Sequence, residues 1–359
     1  MTAYWIVFAI MLLLQFGIKV DSQKKYLWKL IISFIPLFIF GAFRVNFGYD
    51  YEAYQSTFDL VKSSHGQYDG IRAEIGYLIL NELMPSFRIL LIVTTTLTCA
   101  SYIFLFYKII PEKYSWLAIF LLFLSGDKTI FFMFSGIRNA ISISILIFTI
   151  PLLEKRKLLP YMLCMILASL FHKTAFIYFP LAYFVSSNRN ITRKEIFIWS
   201  GIFSFFFIFS HMTIMNTVES LLNTFFSDRY SSYVEQIEDW GDKRGILIRI
   251  ATVLLFIPAM FFCNKHSFST LNNVVNRLGL MYIISTTMGS LNMRTSHHFI
   301  MFFLAFVISI YANSKNRLLK YGYMLFVIAY LSYAFFVVYL GSPTFPYDVY
   351  ESTIFGIIE

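Results

Sequence analysis

Charged residues are the scarcest class in this sequence. Asp, Glu, Lys and Arg make up 14% of its 359 residues, whereas a soluble domain carries about 25%. Hydrophobic residues reach 58%, and apolar runs near the roughly 20 residues that cross a bilayer recur along the chain. The shortage of charge excludes an ordinary soluble domain and predicts an all-α polytopic membrane protein.

Cysteine is almost absent as well. Cys99, Cys164 and Cys263 lie in or beside apolar segments, and their spacing fits neither a disulfide framework nor a zinc site. We interpret them as small buried apolar residues. No second carboxylate falls at ligand spacing around Asp50, so we do not interpret Asp50 as a metal ligand.

The apolar runs predict about ten full transmembrane helices, which we assign to residues 2–18, 30–43, 88–107, 116–134, 137–153, 196–212, 246–262, 278–290, 299–312 and 321–340. The first run lacks a basic n-region and a small-residue cleavage site, so we interpret it as a retained span. The outer loops 44–87 and 213–245 are too short to fold alone. We therefore expect residues 1–359 to form one membrane domain, with these loops as a lid.

The charges of successive loops predict the orientation. The loops predicted on one side of the membrane carry a total net charge of +13. They are loops 19–29, 108–113, 154–157, 186–195, 263–277 and 313–320. The segments predicted on the other side carry a total net charge of −8. They are loops 44–74 and 213–245 and the tail 341–359. Short loops rich in Lys and Arg stay in the cytoplasm, so both termini are expected outside. The net charge of +9 then reflects topology and does not indicate nucleic-acid binding.

The segment 158–185 breaks this alternation, because both of its flanks are basic. Two half-length helices that meet near His172 and Lys173 would restore the pattern. Their tip would lie within the membrane's thickness, facing protein or a watery cavity. Broken helices of this kind recur where membrane proteins build binding sites, although Pro160 and Pro180 allow other breaks.

Several cationic residues fall at outer ends of predicted spans, where the positive-inside bias disfavours them. They are Arg44, Arg138, Arg249 and Arg294, together with the histidines His172 and His298. An arginine deep in a bilayer costs about 2.5–3.5 kcal/mol. One alone could extend its guanidinium to the interface, which stays the simpler interpretation for Arg249. Several at one depth favour a dense anion such as a lipid-linked phosphate or diphosphate, which guanidinium groups bind bidentately.

The stretch "FGYDYEAYQSTF", residues 47–58, places acid and tyrosine directly after an apolar run. We expect Tyr49, Tyr51 and Tyr54 to stack on sugar faces. Asp50 and Glu74 would accept hydrogen bonds from sugar hydroxyls. The alternative for the tyrosines is the ordinary aromatic belt at a membrane interface.

A series of short motifs runs in order from residue 44 to residue 347. The motifs are Arg44-x-x-x-Gly48-x-Asp50-Tyr51-x-x-Tyr54-x-x-x-Phe58, Glu74-x-x-Tyr77, Ile137-Arg138-Asn139, Ala168-x-x-x-His172-x-Thr174-Ala175, Arg229-Tyr230-x-x-Tyr233, Arg294-x-x-x-His298-Phe299 and Pro346-Tyr347. In their order and spacing they resemble the Wzy-type bacterial polysaccharide polymerases, in particular the EpsG branch. Ser142 stands where that family usually has alanine, and His298 where tyrosine is more usual.

The resemblance implies a metal-independent glycosyltransferase that makes O-antigen, capsule or exopolysaccharide. Such an enzyme passes a growing glycan from undecaprenyl diphosphate to a lipid-linked repeat unit, on the outer face of the bacterial cytoplasmic membrane. The implied partners are the lipid-linked oligosaccharide as donor and acceptor, membrane lipid and a chain-length regulator protein. No metal ion, other cofactor or nucleotide sugar is implied by the resemblance.

Residue roles follow from this chemistry as hypotheses. Arg138 and Arg294, then Arg44, would stabilise the leaving diphosphate. His172 would be the base for the acceptor hydroxyl, since imidazole exchanges protons near neutral pH. Asp50 and Glu74 are alternatives as base or sugar-binding groups. The remaining substrate-binding candidates are Tyr51, Tyr54, Arg229, Arg249, His298 and Tyr347.

Two other functions remain open. A lipid-linked oligosaccharide flippase or another transporter also holds arginines inside a helical bundle. It would need polar groups on both sides of the midplane, whereas the unusual cations gather at the outer side. A ligase-like transferase, which moves finished glycan to another acceptor, is separated from a polymerase only by the resemblance.

The predicted orientation can be tested by labelling single cysteines. Ser64→Cys and Ser342→Cys should react with an impermeant maleimide in intact cells whose outer barrier is permeabilised, because both positions lie in acidic loops. Ser314→Cys should stay unlabelled, because its loop is basic. Labelling at residue 314 alone would reverse the topology.

Overall fold

The computed structural model describes residues 1–64, 66–185, 270–287, 293–340 and 350–358, together with single positions between 192 and 254. Most of the described residues are helical. The chain forms two compact units. The first comprises Met1–Ser187 with Tyr339–Glu359, and the second comprises Asn188–Val338.

The first unit is built from apolar helices joined by short turns. Its α-helices are α1 (Thr2–Gly17), α2 (Gln23–Ala42), α3 (Tyr51–Ser64), α4 (Ile75–Leu83), α5 (Phe87–Ile109), α6 (Ser115–Leu124), α7 (Ile130–Ser135), α8 (Ile137–Glu154), α9 (Leu158–Phe171) and α10 (Tyr178–Val185). Single 3-10 segments cover Glu112–Tyr114 and Lys173–Ile177. Three of these helices, α2, α5 and α8, are long and apolar enough to cross a membrane, whereas α1 and α9 are apolar but shorter.

The second unit contains α11 (Thr270–Thr287), α12 (Met293–Asn313) and α13 (Arg317–Ser332), followed by a π-helical segment, Tyr333–Tyr339. A Cβ on Gly279 of α11 would lie 2.8 Å from the Cβ of Phe306 in α12, so the two helices pack at close range. Residues Ser296–Asn313 of α12 are long enough to cross a membrane. The described part of the chain thus has four such helices, and the prediction of about ten full spans is confirmed only in part. The predicted spans 196–212 and 246–262 lie outside the described residues.

The predicted single span 116–134 is wrong, because the helix stops at Leu124 and restarts at Ile130. The Tyr4 hydroxyl donates to the Phe123 carbonyl, which a continuous helix would use for its own ladder. A Cβ at position 126 would overlap the Tyr4 hydroxyl, so a residue other than glycine would displace this tyrosine. Asp127 and Lys128 then form an ion pair of 2.5 Å within the break.

The predicted break at His172 and Lys173 is confirmed. Helix α9 ends at Phe171, and His172 has an extended backbone with φ −154° and ψ 124°. The Tyr161 hydroxyl, near the start of α9, donates to the Tyr178 carbonyl over 3.1 Å. That contact requires the chain to turn back along α9 after His172, so the two helical pieces form a hairpin.

The C-terminal residues join the end of α2. Strands β1 (Arg44–Val45), β2 (Tyr350–Ser352) and β3 (Gly356–Ile358) form an antiparallel sheet in that order, with Arg44 opposite Ser352. Tyr350 also stacks on Phe40, with 4.5 Å between the ring centroids. At this same end, Tyr4 of α1 stacks on Phe131 of α7. Both termini therefore lie on the side of the loop after α2, as the charge pattern predicts.

A glycine sets the distance between α4 and α9. A Cβ on Gly76 would lie 2.8 Å from the carbonyl oxygen of Leu170, and this backbone atom has little freedom to move. We expect Gly76→Ala to destabilise the protein by about 1–3 kcal/mol, as overpacking generally does. A lower melting temperature in detergent would confirm this. Gly322→Ala is the control, because that helical glycine has nothing within 4 Å and alanine favours helices. Equal melting temperatures for both variants would contradict the close contact.

Candidate functional site

Three helix ends bring an acid, a guanidinium and an imidazole together. Glu74 is the N-cap of α4, Arg138 lies in the first turn of α8, and His172 is the C-cap of α9. Arg138 Nη1 forms an ion pair with Glu74 Oε2. His172 Nδ1 lies 3.5 Å from Glu74 Oε1, close enough for a charge interaction but too far for a well-formed hydrogen bond. We call Glu74, Arg138 and His172 the Glu74 cluster.

Local packing explains why these helix ends meet. Gly76 allows α4 to approach the last turn of α9, so the N-terminus of α4 comes beside His172. Ser142 of α8 donates to the Ala168 carbonyl of α9 over 2.6 Å. This hydroxyl occupies the position where the sequence departs from the usual alanine, and it joins α8 directly to α9. Both contacts align the helices that carry the Glu74 cluster.

Charge compensation within the cluster keeps Glu74 ionised. Burial would raise the pKa of Glu74, but the His172 imidazole and the Arg138 guanidinium outweigh burial and lower this pKa to about 2. The Glu74 side chain is 12% exposed, compared with 18% for His172 and 27% for Arg138. Solvent therefore reaches the cation more than the acid, and Glu74 is a charged acceptor at neutral pH.

Helix α3 forms an aromatic wall beside the cluster. The Arg138 guanidinium carbon lies 5.9 Å from the Tyr54 ring centroid, and Tyr54 meets Tyr77 edge to face at 5.6 Å. Burial raises the pKa of the Tyr54 hydroxyl, and the Arg138 charge partly offsets this rise. Tyr51 is buried against Phe87.

This burial changes the expected role of the tyrosines. Apolar packing of α3 covers Tyr51 and Tyr54, so it does not support the expectation that they stack on sugars. Tyr49 is the exposed ring of the three. Asp50 is also exposed, at the start of α3, and its charge acts on the nearby Tyr54.

Arg44 holds backbone in place. Its side chain is buried, with the residue 1% exposed. Nη1 donates to the Gly41 carbonyl and Nη2 to the Phe134 carbonyl over 3.3 Å, and the guanidinium lies 4.9 Å from the Phe134 ring centroid. This environment does not support the expected contact of Arg44 with a diphosphate. The arginine fixes the end of α2 against α7.

Arg88, which the sequence reasoning missed, also binds backbone carbonyls at the end of α2. Its Nη1 donates to the carbonyls of Ala42 and Arg44, over 2.9 and 2.8 Å. It could have been found by the signal that marked Arg138, an arginine at the outer end of a predicted span. At the tip of the hairpin, the backbone nitrogen of Lys173 also lies 3.5 Å from Glu74 Oε1.

The other predicted site residues lie outside the first unit's described residues. Arg294 and His298 both belong to α12, which begins at Met293, so their spacing of four places them on one helical face. His298 is fully buried. Arg229, Arg249 and Tyr347 lie outside the described residues. Among the described residues, no group of three His, Cys, Asp or Glu side chains could hold a metal ion.

These features define a helical membrane protein with an acid–guanidinium–imidazole cluster at the end of a broken helix. The chain belongs to the EpsG family, whose model matches residues 27–349. This is the family of Wzy-type polysaccharide polymerase-like proteins. No curated protein and no solved structure matches the chain. Family membership indicates a role like that of a polysaccharide polymerase.

Glu74→Gln should reveal the charge compensation as a pH-dependent loss of stability. A carboxyl with a lowered pKa stabilises the folded state above its ordinary pKa, here 4.5, and this contribution is lost as the pH falls towards 2. The difference in melting temperature between wild type and variant should thus be largest at neutral pH and decline below about pH 4.5. Thermal unfolding in detergent measures it.

Glu52→Gln is the matched control, since Glu52 is exposed on α3. Its melting temperature should follow that of the wild type at every pH. A Glu74→Gln difference that stayed constant from neutral pH to the lowest pH would contradict the ion pairing.

Proposed function

We propose that this protein is a polysaccharide polymerase whose reaction takes place at the Glu74 cluster. It would transfer a growing glycan from undecaprenyl diphosphate to the sugar of a lipid-linked repeat unit, on the outer face of the cytoplasmic membrane. The single observation that carries the proposal is the ionised Glu74 carboxylate between a guanidinium and an imidazole. Such a group can orient a base and an anion-binding cation at the same time.

His172 is the proposed base for the acceptor hydroxyl. Its Nδ1 faces Glu74 Oε1, which directs the opposite nitrogen, Nε2, away from the acid. A carboxylate behind an imidazole fixes its orientation and stabilises the imidazolium that forms. His172 Nε2 would accept the proton as the acceptor oxygen attacks the anomeric carbon. Glu74 is in this scheme a positioning residue, because its low pKa makes it a poor base.

Arg138 is the proposed partner of the leaving diphosphate. One edge of its guanidinium is held by Glu74, and the side chain remains partly exposed, so other N–H groups can reach a phosphate. Charge develops on the bridging oxygen as the glycosidic C–O bond breaks, and a fixed cation lowers the barrier most at that point. The N-terminal turn of α8, which carries Arg138, adds the positive end of a helix dipole.

The sugar chain would lie along the exposed start of α3. Asp50 and Tyr49 are exposed there, and further along α3 the solvent-facing positions include Glu52, Gln55 and Asp59. Carboxylates and amides accept hydrogen bonds from sugar hydroxyls, and an exposed tyrosine ring offers an apolar face. Arg294 and His298 of α12 remain candidates for substrate contacts on the basis of the sequence, as do Arg229, Arg249 and Tyr347.

An assay with purified protein and a lipid-linked repeat unit tests the function directly. A ladder of products would support the polymerase. Transfer of the glycan to a different acceptor lipid would indicate a ligase. Absence of any transfer, combined with movement of the unit across a vesicle membrane, would indicate a flippase. Addition of a chain-length regulator protein should change the length of the ladder without being required for it.

Two substitutions of Arg138 distinguish the effect of its positive charge from the effect of its planar guanidinium. Arg138→Ala should reduce ladder formation about a hundredfold or more, which is the typical effect of removing one group that stabilises a transition state. Arg138→Lys should recover only part of the activity, because an ammonium cannot copy the planar fork of donors. Arg72→Ala is the control, since Arg72 is an exposed arginine two residues before Glu74. Full ladders from Arg138→Ala, at normal protein levels in the membrane, would remove Arg138 from the mechanism.

A further inference from the structure

A cavity lies at the end of the first unit opposite the Glu74 cluster. It has a volume of about 520 Å³ and is bounded by the turn between α1 and α2 and by the start of α6. Pockets that bind small ligands usually measure about 300–1,000 Å³. Helix α2 runs from this cavity towards the sheet at its other end, so the cavity is separate from the proposed site of polymerisation.

The cavity has a polar, ordered floor. Gln15 Nε2 donates to Ser33 Oγ over 2.7 Å, and Ser115 Oγ donates to Gln15 Oε1 over 2.6 Å. Gln15 and Ser115 are buried and line the cavity. These hydrogen bonds hold α1, α2 and α6 together at the cavity without adding charge to it.

The charge of the cavity is positive. Three lysines line it, together with the single acid Glu112. Lys29 Nζ lies 2.5 Å from Glu112 Oε1, so these two charges compensate each other. Lys19 and Lys113 are exposed, and neither forms a salt bridge with any described residue. Two of the lining lysines therefore have no acidic partner among the described residues, and the ammonium of Lys113 lies 4.8 Å from the Tyr114 ring centroid.

The rim of the cavity is aromatic. Phe16 and Trp116 are 67% and 36% exposed, and their ring centroids lie 6.1 Å apart. Both rings also line the cavity. Exposed tryptophan and phenylalanine at the end of a membrane helix lie at the level of lipid headgroups and upper acyl chains. An amphipathic ligand fits this combination better than a small soluble anion does.

We propose that the cavity binds the headgroup phosphate of an anionic phospholipid. Lys19 and Lys113 would contact the phosphate, and Phe16 and Trp116 would pack along the first part of the acyl chains. Basic pockets between membrane helices bind lipid headgroups in this manner. The site is independent of the polymerase reaction, since it shares no residue with the Glu74 cluster.

Native mass spectrometry of the purified protein tests the site, with phosphatidylglycerol and phosphatidylcholine as probes. The wild type should retain phosphatidylglycerol in preference to phosphatidylcholine. The double variant Lys19→Gln/Lys113→Gln should retain less phosphatidylglycerol, by roughly fivefold for each lysine, because one lysine near an anionic lipid contributes about 1 kcal/mol. Retention of phosphatidylcholine should not change.

The control Lys24→Gln/Lys155→Gln removes the same charge from exposed lysines that do not line the cavity. The control should leave the retention of phosphatidylglycerol within about twofold of the wild type, because these lysines would not contact the bound headgroup. Equal losses in both double variants would overturn the site in favour of diffuse attraction to a basic surface. Displacement of phosphatidylglycerol by inorganic phosphate alone would also overturn it, because the rim would then contribute nothing.

Discussion

The ionised carboxylate of Glu74 is the interaction on which the rest of the site depends. An arginine and a histidine at the ends of neighbouring helices would repel each other if both were charged, and each would be costly to bury alone. One carboxylate oxygen holds Arg138 and the other faces His172. The packing of α4 on α9, through Gly76, and of α8 on α9, through Ser142, places this acid between the guanidinium and the imidazole.

The membrane explains why the site is assembled from helix ends. Backbone groups inside a bilayer must be satisfied within the protein, so a helix can end or break there only where protein or a watery cavity surrounds it. His172 ends α9 with an extended backbone, and Arg138 lies in the first turn of α8. A continuous helix through residues 158–185 would leave His172 in mid-span, and Glu74 would then have no imidazole beside it.

The sequence predicted the features that follow from alternation of charge and apolar length. The spans that became α2, α5 and α8, the common side of the two termini and the break at His172 were all accessible from such patterns. The interruption at Ser125–Thr129 was not, because a hydropathy pattern contains no information about the Tyr4 hydroxyl that competes for the Phe123 carbonyl. The burial of Tyr51 and Tyr54 could not be predicted from the sequence for a similar reason. Tyrosine is equally compatible with a sugar-binding surface and with a packed wall, and only the facing residues decide between them.

Arg44 and Arg138 show why a motif alone does not assign a role. Both stand at the end of an apolar helix, and the same positive-inside argument singled out both. The two terminal nitrogens of Arg44 donate to the carbonyls of Gly41 and Phe134, its guanidinium lies over the Phe134 ring, and the residue is only 1% exposed. Arg138 is held by a carboxylate on one edge and keeps about a quarter of its side chain exposed. A guanidinium fixed by one edge and open at another can bind a second anion without reorganising, whereas one enclosed by carbonyls would first have to break the backbone contacts that hold α2 to α7. The difference between a structural and a functional arginine therefore lies in the partner that each one meets, and the partner comes from a segment far away in the sequence.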